Sequence, residues 1–303
     1  MRRVTFRLVV LLAAVAAAEP AAAATTPAWL LYDQGRTWAD RGELGKALQL
    51  YREAILAAGV LPEAEAAIGD VYREEGETDL ALRQYRRAWD LRNALVAPED
   101  KYGILYRWAE LCEDQELYNE MEVQLQRIVA DDPYSKGEQL PVQVERNFVE
   151  KGLDHVLTLY RFDSRFAIGA HSRLGWFYYR TGRYPQAVRQ LLYAVVLQVA
   201  DAAEFLRQKD VGVVVDGLST FFALVLRDRD ARSWLASASL GADLYYLAAS
   251  SWELGHPLRA QSIWKILSSV NEAGTYADLS RRQLARPFRE PYLVPTFKLQ
   301  STP

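Results

Sequence analysis

Apolar and small residues recur along most of the chain at the three- and four-residue spacing that places them on one face of an α-helix. The clearest stretch runs from residue 29 to residue 95, where two helices and a glycine-containing turn are written twice at an offset of 34 residues. Eight residues repeat at that offset: Gly35, Gly42, Glu43, Ala47, Leu48, Tyr51, Arg52 and Ala54 return as Gly69, Gly76, Glu77, Ala81, Leu82, Tyr85, Arg86 and Ala88. A fixed period of this length predicts a series of stacked helical hairpins.

The repeated positions have the sizes that a close helical hairpin needs. Gly35 leaves room for a second helix to cross, and Trp38, one turn later on the same face, fills the space beside the crossing. Gly42 ends the first helix in a conformation that is unfavourable for a residue with a Cβ. One stripe of the second helix is small where backbones approach and aromatic where a gap needs filling, through Ala47, Tyr51 and Ala54.

This pattern resembles the tetratricopeptide repeat family. The resemblance implies an all-α fold in which antiparallel helix pairs stack into a right-handed superhelical solenoid. A third, degenerate unit is expected over residues 102–133, where Glu116 replaces the turn glycine and Met121 the small residue of the second helix. The anchor residues recur again in a fourth unit around Gly175 and in a fifth that begins near Gly241.

The repeats predict two groups of hairpins separated by a linking helix. Three units are expected over residues 25–134 and two over residues 167–272. The linking segment, residues 135–166, carries apolar residues at helical spacing from Val142 to Phe162, which predicts one helix that bridges the two groups.

Two further segments lie outside the repeat pattern. An inserted helix is expected at residues 201–228, and its apolar run from Val211 to Leu226 contains Asp216. A run of this length with an internal acid favours a buried helix over a membrane span. Residues 273–303 are expected to form a capping helix near Tyr276 to Ala285, followed by an extended tail.

Residues 1–24 have the layout of a secretory signal peptide, because arginines precede an apolar run that ends in small residues. An uncleaved amino-terminal anchor is the alternative. The segment predicts export to a bacterial periplasm. Without it, the 36 basic and 39 acidic residues of the chain become 33 and 38, a net charge of −5. An acidic chain is a poor electrostatic match for a phosphate backbone, so nucleic acid is not an expected partner.

The residues that usually carry chemistry are sparse. Cys112 is the only cysteine, so no intramolecular disulfide can form, and its spacing predicts the buried side of a hairpin. His155, His171 and His256 have no second ligand at metal-binding spacing and no positioned partner for general-base chemistry. No phosphate-binding loop or serine elbow is visible. We therefore expect no metal, no cofactor and no enzymatic activity.

In the resembling family, ligands usually lie in a concave groove lined by the first helix of each unit. The corresponding positions in this chain are Tyr32, Arg36, Arg73, Tyr106, Arg107, Arg173, Trp176, Tyr179, Arg180, Tyr245 and Trp252. Aromatic residues and arginines are the types over-represented at binding hot spots, and they concentrate in the fourth and fifth units. The alternative is that the inserted helices fold into the groove and use these aromatic residues as core.

The leading hypothesis is a non-enzymatic periplasmic scaffold or adaptor that binds a protein or peptide in this groove. The alternative is a small-molecule carrier or transporter accessory with an aromatic-lined pocket near Trp176 and Trp252. No membrane span is expected in the mature chain. Self-association through the aromatic residues of the stretch 288–297 is left open.

Overall fold

The computed structural model describes residues 26–137 and 139–293 of the 303-residue chain. These residues form fifteen α-helices and three short 3-10 helices and contain no β-strand, so the predicted all-α class is confirmed. The expected signal segment, residues 1–24, lies outside the described residues. The chain divides into two compact units, Met1–Val60 and Leu61–Pro303.

The first unit contains one hairpin, α1 (Ala28–Ala39) and α2 (Leu44–Ala58). Gly35 of α1 is buried at the crossing, where an added Cβ would lie 2.6 Å from the ring of Tyr51. The turn residue Gly42 has a φ of 77°, and beyond it the Glu43 N–H donates to the Trp38 carbonyl at 2.9 Å. This hydrogen bond satisfies a carbonyl group that the end of α1 would otherwise leave unpaired.

The second unit contains four further hairpins: α3 (Pro62–Glu74) with α4 (Thr78–Asp90), α5 (Asp100–Asp114) with α6 (Tyr118–Asp131), α9 (Ile168–Arg180) with α10 (Tyr184–Lys209), and α13 (Leu240–Glu253) with α14 (Pro257–Leu267). Three of the turns use a glycine with positive φ, namely Gly76, Gly182 and Gly255. Glu116 occupies the same place between α5 and α6 with a φ of 58°. The hairpin of α5 and α6 therefore keeps the turn geometry of the other hairpins without a glycine.

Two helices, α7 (Gln139–Lys151) and α8 (Leu153–Leu159), replace the single helix expected over residues 142–162. The break falls at Gly152, whose φ of 93° is a conformation that glycine adopts readily. The guanidinium group of Arg259, from α14, donates to the carbonyl groups of Val149 and Glu150 at the end of α7. A side chain at Gly152 would meet this guanidinium group, since an added Cβ would lie 2.9 Å from it.

The segment expected as one inserted helix, residues 201–228, is instead divided. Its first part continues α10 to Lys209, residues 210–217 form a loop, and α11 (Leu218–Val225) and α12 (Arg229–Ser237) follow. Val211 is 91% exposed, so the apolar run is not buried throughout. Its glycines and β-branched valines favour helix weakly, and the Asp210 carboxylate accepts a hydrogen bond from the Gly212 N–H at 2.9 Å.

A large hydrophobic core extends through the second unit from α4 to α15 (Thr275–Ala285), and α10 supplies more of its fully buried aliphatic residues than any other helix. Helix α15 coincides with the expected capping helix, and beyond it the chain continues without helix to residue 293. Among the described residues, no helix combines the length and the apolar character that crossing a membrane requires.

Candidate functional site on helices α9, α13 and α15

Two of the predicted groove residues belong to the first unit. The ring of Tyr32 is half-buried and lies 5.7 Å from the ring of Tyr51. Arg36 is exposed on the same helix. Tyr32 therefore contributes to packing within the hairpin, and Arg36 remains open to a partner.

Three predicted arginines of the second unit form ion pairs between α3, α5 and α9, the first helices of neighbouring hairpins. The Arg107 guanidinium group lies 2.7 Å from the Asp70 carboxylate. The Glu110 carboxylate lies 3.2 Å from Arg73 on one side and 2.6 Å from Arg173 on the other. Burial acts to raise the pKa of Glu110, but hydrogen bonds from the two arginines outweigh it and hold this pKa below its usual value. A ligand that used these arginines would have to compete with carboxylates of the chain itself.

Two other predicted residues hold neighbouring elements in place. The Tyr106 hydroxyl donates to the Phe166 carbonyl at 2.7 Å and accepts from the Ala170 N–H at 2.9 Å, so it fixes the start of α9. Burial raises the pKa of Tyr106 to about 12. Trp252 packs against the buried ring of Trp264, with 5.8 Å between the ring centroids. Both residues therefore pack within the fold, but through Phe166, Ala170 and Trp264 and not through the inserted helices of the predicted alternative.

Trp176 borders a buried carboxyl group on α13 that sequence reasoning did not select. The Oδ2 atom of Asp243 accepts hydrogen bonds from Ser172 at 2.8 Å, from Gln198 at 2.6 Å and from Ser239 at 3.0 Å, and the Trp176 indole group also faces the carboxyl group. Burial raises the pKa of Asp243 to about 6, against the effect of these donors. The cluster joins α9, α10 and α13 through polar contacts within the core.

Four tyrosines meet where α9, α13 and α15 pack together, and we call them the tyrosine cluster: Tyr179, Tyr245, Tyr246 and Tyr276. The first two were predicted as groove residues and are buried. Their ring centroids lie 5.1 Å apart for the pairs Tyr179–Tyr246 and Tyr245–Tyr246, and 5.8 Å apart for Tyr245–Tyr276. Tyr276 was missed because it belongs to the capping helix, where the repeat spacing gives no guidance.

The carboxylate of Glu290 is a charged group that acts on every member of the tyrosine cluster. The Tyr246 hydroxyl donates to Glu290 Oε2 at 3.4 Å, and the backbone of Glu290 is hydrogen-bonded to the Tyr179 hydroxyl. Burial, and then the charge of Glu290, raise the pKa of all four tyrosines above the usual value. The hydroxyl groups are therefore protonated at neutral pH and able to donate.

Glu290 belongs to an extended stretch, residues 286–293, which we call the C-terminal segment. The buried side-chain amide of Gln283 donates to the Phe288 carbonyl and accepts from the Phe288 N–H, both at 3.0 Å. Further along, the Leu293 N–H donates to the Arg180 carbonyl at 2.8 Å. The fold thus holds the backbone of this segment near both of its ends.

Side chains of the C-terminal segment add contacts with the ends of α9 and α13. The hydroxyl groups of Tyr292 and Tyr184 lie 3.0 Å apart, and the Tyr292 ring packs beside Gly182, where an added Cβ would come within 3.1 Å of it. Arg289 forms an ion pair with Glu253. The C-terminal segment therefore packs directly against these helices. The groove residues predicted from the sequence lie on the helices, and none of them belongs to the segment.

A second polar arrangement that sequence reasoning missed surrounds His171. Its Nε2 atom lies 3.2 Å from the Asp132 carboxylate and its Nδ1 atom 2.6 Å from Gln190 Oε1. Burial acts to raise the pKa of Asp132, but hydrogen bonds from His171, Ser164 and a backbone N–H hold it below its usual value. The pair was invisible in the sequence because 39 residues separate its members. Within the described part of the chain, no three side chains of the types that bind metals gather into a site.

Comparison with known proteins gives no family. No family model matches the chain. It is similar to a protein of Treponema pallidum, with 24% identity over 242 residues that make up 78% of this chain and 64% of that protein. A protein of Borreliella burgdorferi is 21% identical over 272 residues, 80% of this chain and 84% of that protein. Both are described only as uncharacterized proteins, and the chain spans less than two thirds of the first.

Proposed function

We propose that this protein is a non-enzymatic scaffold of the tetratricopeptide type that works in a bacterial envelope and binds an extended segment of a protein partner. The proposed binding face is formed by α9, α13 and α15, with the tyrosine cluster at its centre. The expected signal segment supports the location, and the five hairpins with a common turn geometry support the repeat architecture.

The observation that carries this proposal is that the face already holds an extended chain. Gln283 pairs with both backbone groups of Phe288, and the Arg180 carbonyl accepts from the Leu293 N–H. Backbone groups are common to all peptides, so contacts of this kind bind an extended segment in a defined register. Aromatic side chains supply contact area at low entropic cost, which suits a surface that recognises peptides.

Site-specific photocrosslinking tests the proposal. A photoreactive amino acid would replace Arg180, which is exposed at the edge of the face. In a matched control it would replace Gln261, which is exposed on α14, the second helix of the last hairpin. The full chain would be expressed in a bacterial envelope, and crosslinked products would be separated by mass. We expect a defined protein adduct from position 180 and not from position 261. Equal adducts from both positions, or none from either, would refute the proposal.

One cavity favours the small-molecule alternative. It measures about 400 Å³ and is walled by the aromatic rings of Phe205 and Trp234 together with the charged groups of Arg165, Asp201 and Asp230. That volume lies within the usual range for small-ligand sites. The cavity differs in place from the pocket expected near Trp176 and Trp252. A stoichiometric metabolite seen by native mass spectrometry, and lost in Trp234→Ala, would move this candidate to first place.

A further inference from the structure

The C-terminal segment occupies the proposed binding face in the way that a bound peptide would. Three of its residues are held through their own backbone groups. Phe288 is bound by the Gln283 side chain, Glu290 by the Tyr179 hydroxyl, and Leu293 by the Arg180 carbonyl. None of these contacts depends on the identity of the segment's side chains. Another extended chain could therefore form the same contacts.

The side-chain contacts indicate which extended chain would fit. The tyrosine cluster presents hydroxyl donors to the carboxylate of Glu290, whose oxygens accept hydrogen bonds. Two residues later, Tyr292 meets Tyr184 and packs beside the turn at Gly182. Pro291 between them has no N–H to satisfy and favours an extended chain before it. The face thus matches an acidic residue followed, two positions later, by an aromatic one.

We propose that the partner presents an extended segment with an acidic residue at the tyrosine cluster and an aromatic residue two positions later, and that residues 286–293 compete with it for this face. This inference rests on the proposed function. It adds both the chemistry of the partner and the competition by the protein's own segment.

Tethering sets the strength of the competition. The segment follows α15 directly, so its effective concentration at the face is on the order of 1 mM. If the isolated segment binds with a Kd of about 0.1 mM, the tethered segment occupies the face in about ten of every eleven molecules. An added peptide then binds on the order of tenfold more weakly than it would bind to an open face.

The test uses the full chain and a labelled peptide, Arg-Pro-Phe-Arg-Glu-Pro-Tyr-Leu, with blocked ends. Fluorescence anisotropy would measure its Kd for the natural chain, for Glu290→Gln, and for Arg286→Gln as a control at an exposed position of the same segment. A second peptide would carry glutamine in place of glutamate. In case Glu290→Gln alone does not release the segment, Leu293→Pro removes the N–H that binds the Arg180 carbonyl.

We expect the glutamate peptide to bind Glu290→Gln or Leu293→Pro on the order of tenfold more tightly than it binds the natural chain or Arg286→Gln. The glutamine peptide should bind all chains weakly. Equal affinity for natural and released chains would overturn the competition. Equal affinity of the two peptides, or no binding to any chain, would overturn the recognition of an acidic residue. A natural chain that is dimeric by light scattering and monomeric as Glu290→Gln would assign the occupant to a second copy and overturn the inference of a different partner.

These outcomes are separable from a failure of the proposed function. If position 180 crosslinks to a protein but no chain binds the peptide, the scaffold function stands and this inference falls. If the peptide competes as expected but no adduct forms at position 180, the segment and its face are confirmed while the proposed function is refuted.

Discussion

Gly69→Ala tests whether the close crossing of two helices, and not a local backbone preference, requires glycine at the anchor position. An added Cβ would lie 2.7 Å from Cε1 and 2.8 Å from Cδ1 of Tyr85, closer than a real Cβ approaches any atom. The Tyr85 ring is fully buried, and its hydroxyl donates to Asp70 at 2.7 Å. The ring can therefore move aside only by giving up this hydrogen bond and repacking its neighbours.

The expected magnitude is the difference between two opposing effects. Alanine is favoured over glycine inside a helix by about 0.5–1 kcal/mol. Overpacking a well-filled core costs about 1–3 kcal/mol. Gly69→Ala should therefore lower the free energy of unfolding by about 1–2 kcal/mol. Gly103→Ala in α5 is the matched control, because its Cβ would meet only the Arg107 guanidinium group, at 3.7 Å. That variant should gain the helix preference alone.

Urea denaturation followed by circular dichroism measures both variants, and a double-mutant cycle isolates the contact. In a Tyr85→Ala background the ring is absent, so Gly69→Ala should stabilise that chain by about 0.5–1 kcal/mol. The coupling between the two positions should then be about 2 kcal/mol. The reasoning is refuted if Gly69→Ala stabilises the natural chain as much as Gly103→Ala does, or if the coupling is zero.

Three further variants test the turn and the two buried aspartates. Glu116→Gly should stabilise the chain by about 0.5–1 kcal/mol in urea, because glycine adopts the positive φ of 58° at no steric cost; an unchanged midpoint would contradict this. The pKa of Asp243, about 6 in the folded chain, lies above its ordinary value of 3.8, so this group makes stability fall as pH rises from 4 to 6, by on the order of 2–3 kcal/mol. Melting temperatures between these pH values should fall less steeply in Asp243→Asn than in the natural chain, and parallel curves would refute the assignment. The lowered pKa of Asp132 has the opposite sign, so Asp132→Asn should destabilise the chain at pH 7 by an amount that shrinks as pH falls below about 4; a loss independent of pH would count against it.

The hairpins were predictable because their signals are local. Gly35 and Tyr51 lie 16 residues apart and are in direct contact. A glycine followed at this spacing by a large side chain therefore indicates a helix crossing wherever the pair recurs. The turn between α5 and α6 was recognised as a departure from this pattern, and Glu116 takes the conformation that the missing glycine would have taken. Repeat spacing therefore located this turn even where the residue type did not.

Features that depend on distant parts of the chain were not predictable. The loop at residues 210–217 was missed for a different, local reason, because its glycines and β-branched valines favour helix weakly although the run is apolar. The pairing of His171 with Asp132 joins the start of α9 to the end of α6. The docking of residues 286–293 depends on Gln283 in the capping helix, which carries no repeat signature.

The two ends of the predicted face in the second unit differ in the chemistry that they offer a partner. Around Glu110 the arginines Arg73 and Arg173 already have carboxylates as neighbours, so an acidic ligand there would exchange one ion pair for another. These half-buried charges still contact solvent and are therefore screened by salt. At the tyrosine cluster the donors are neutral hydroxyl groups, largely buried, so an acidic residue that replaces Glu290 exchanges one carboxylate for another at donors that carry no charge. Binding there should weaken little between 50 and 500 mM salt, roughly the range over which the Debye length falls severalfold. A partner whose affinity collapses over that range would instead be held by the arginines around Glu110, and the proposed site would move from α13 and α15 to α3 and α5.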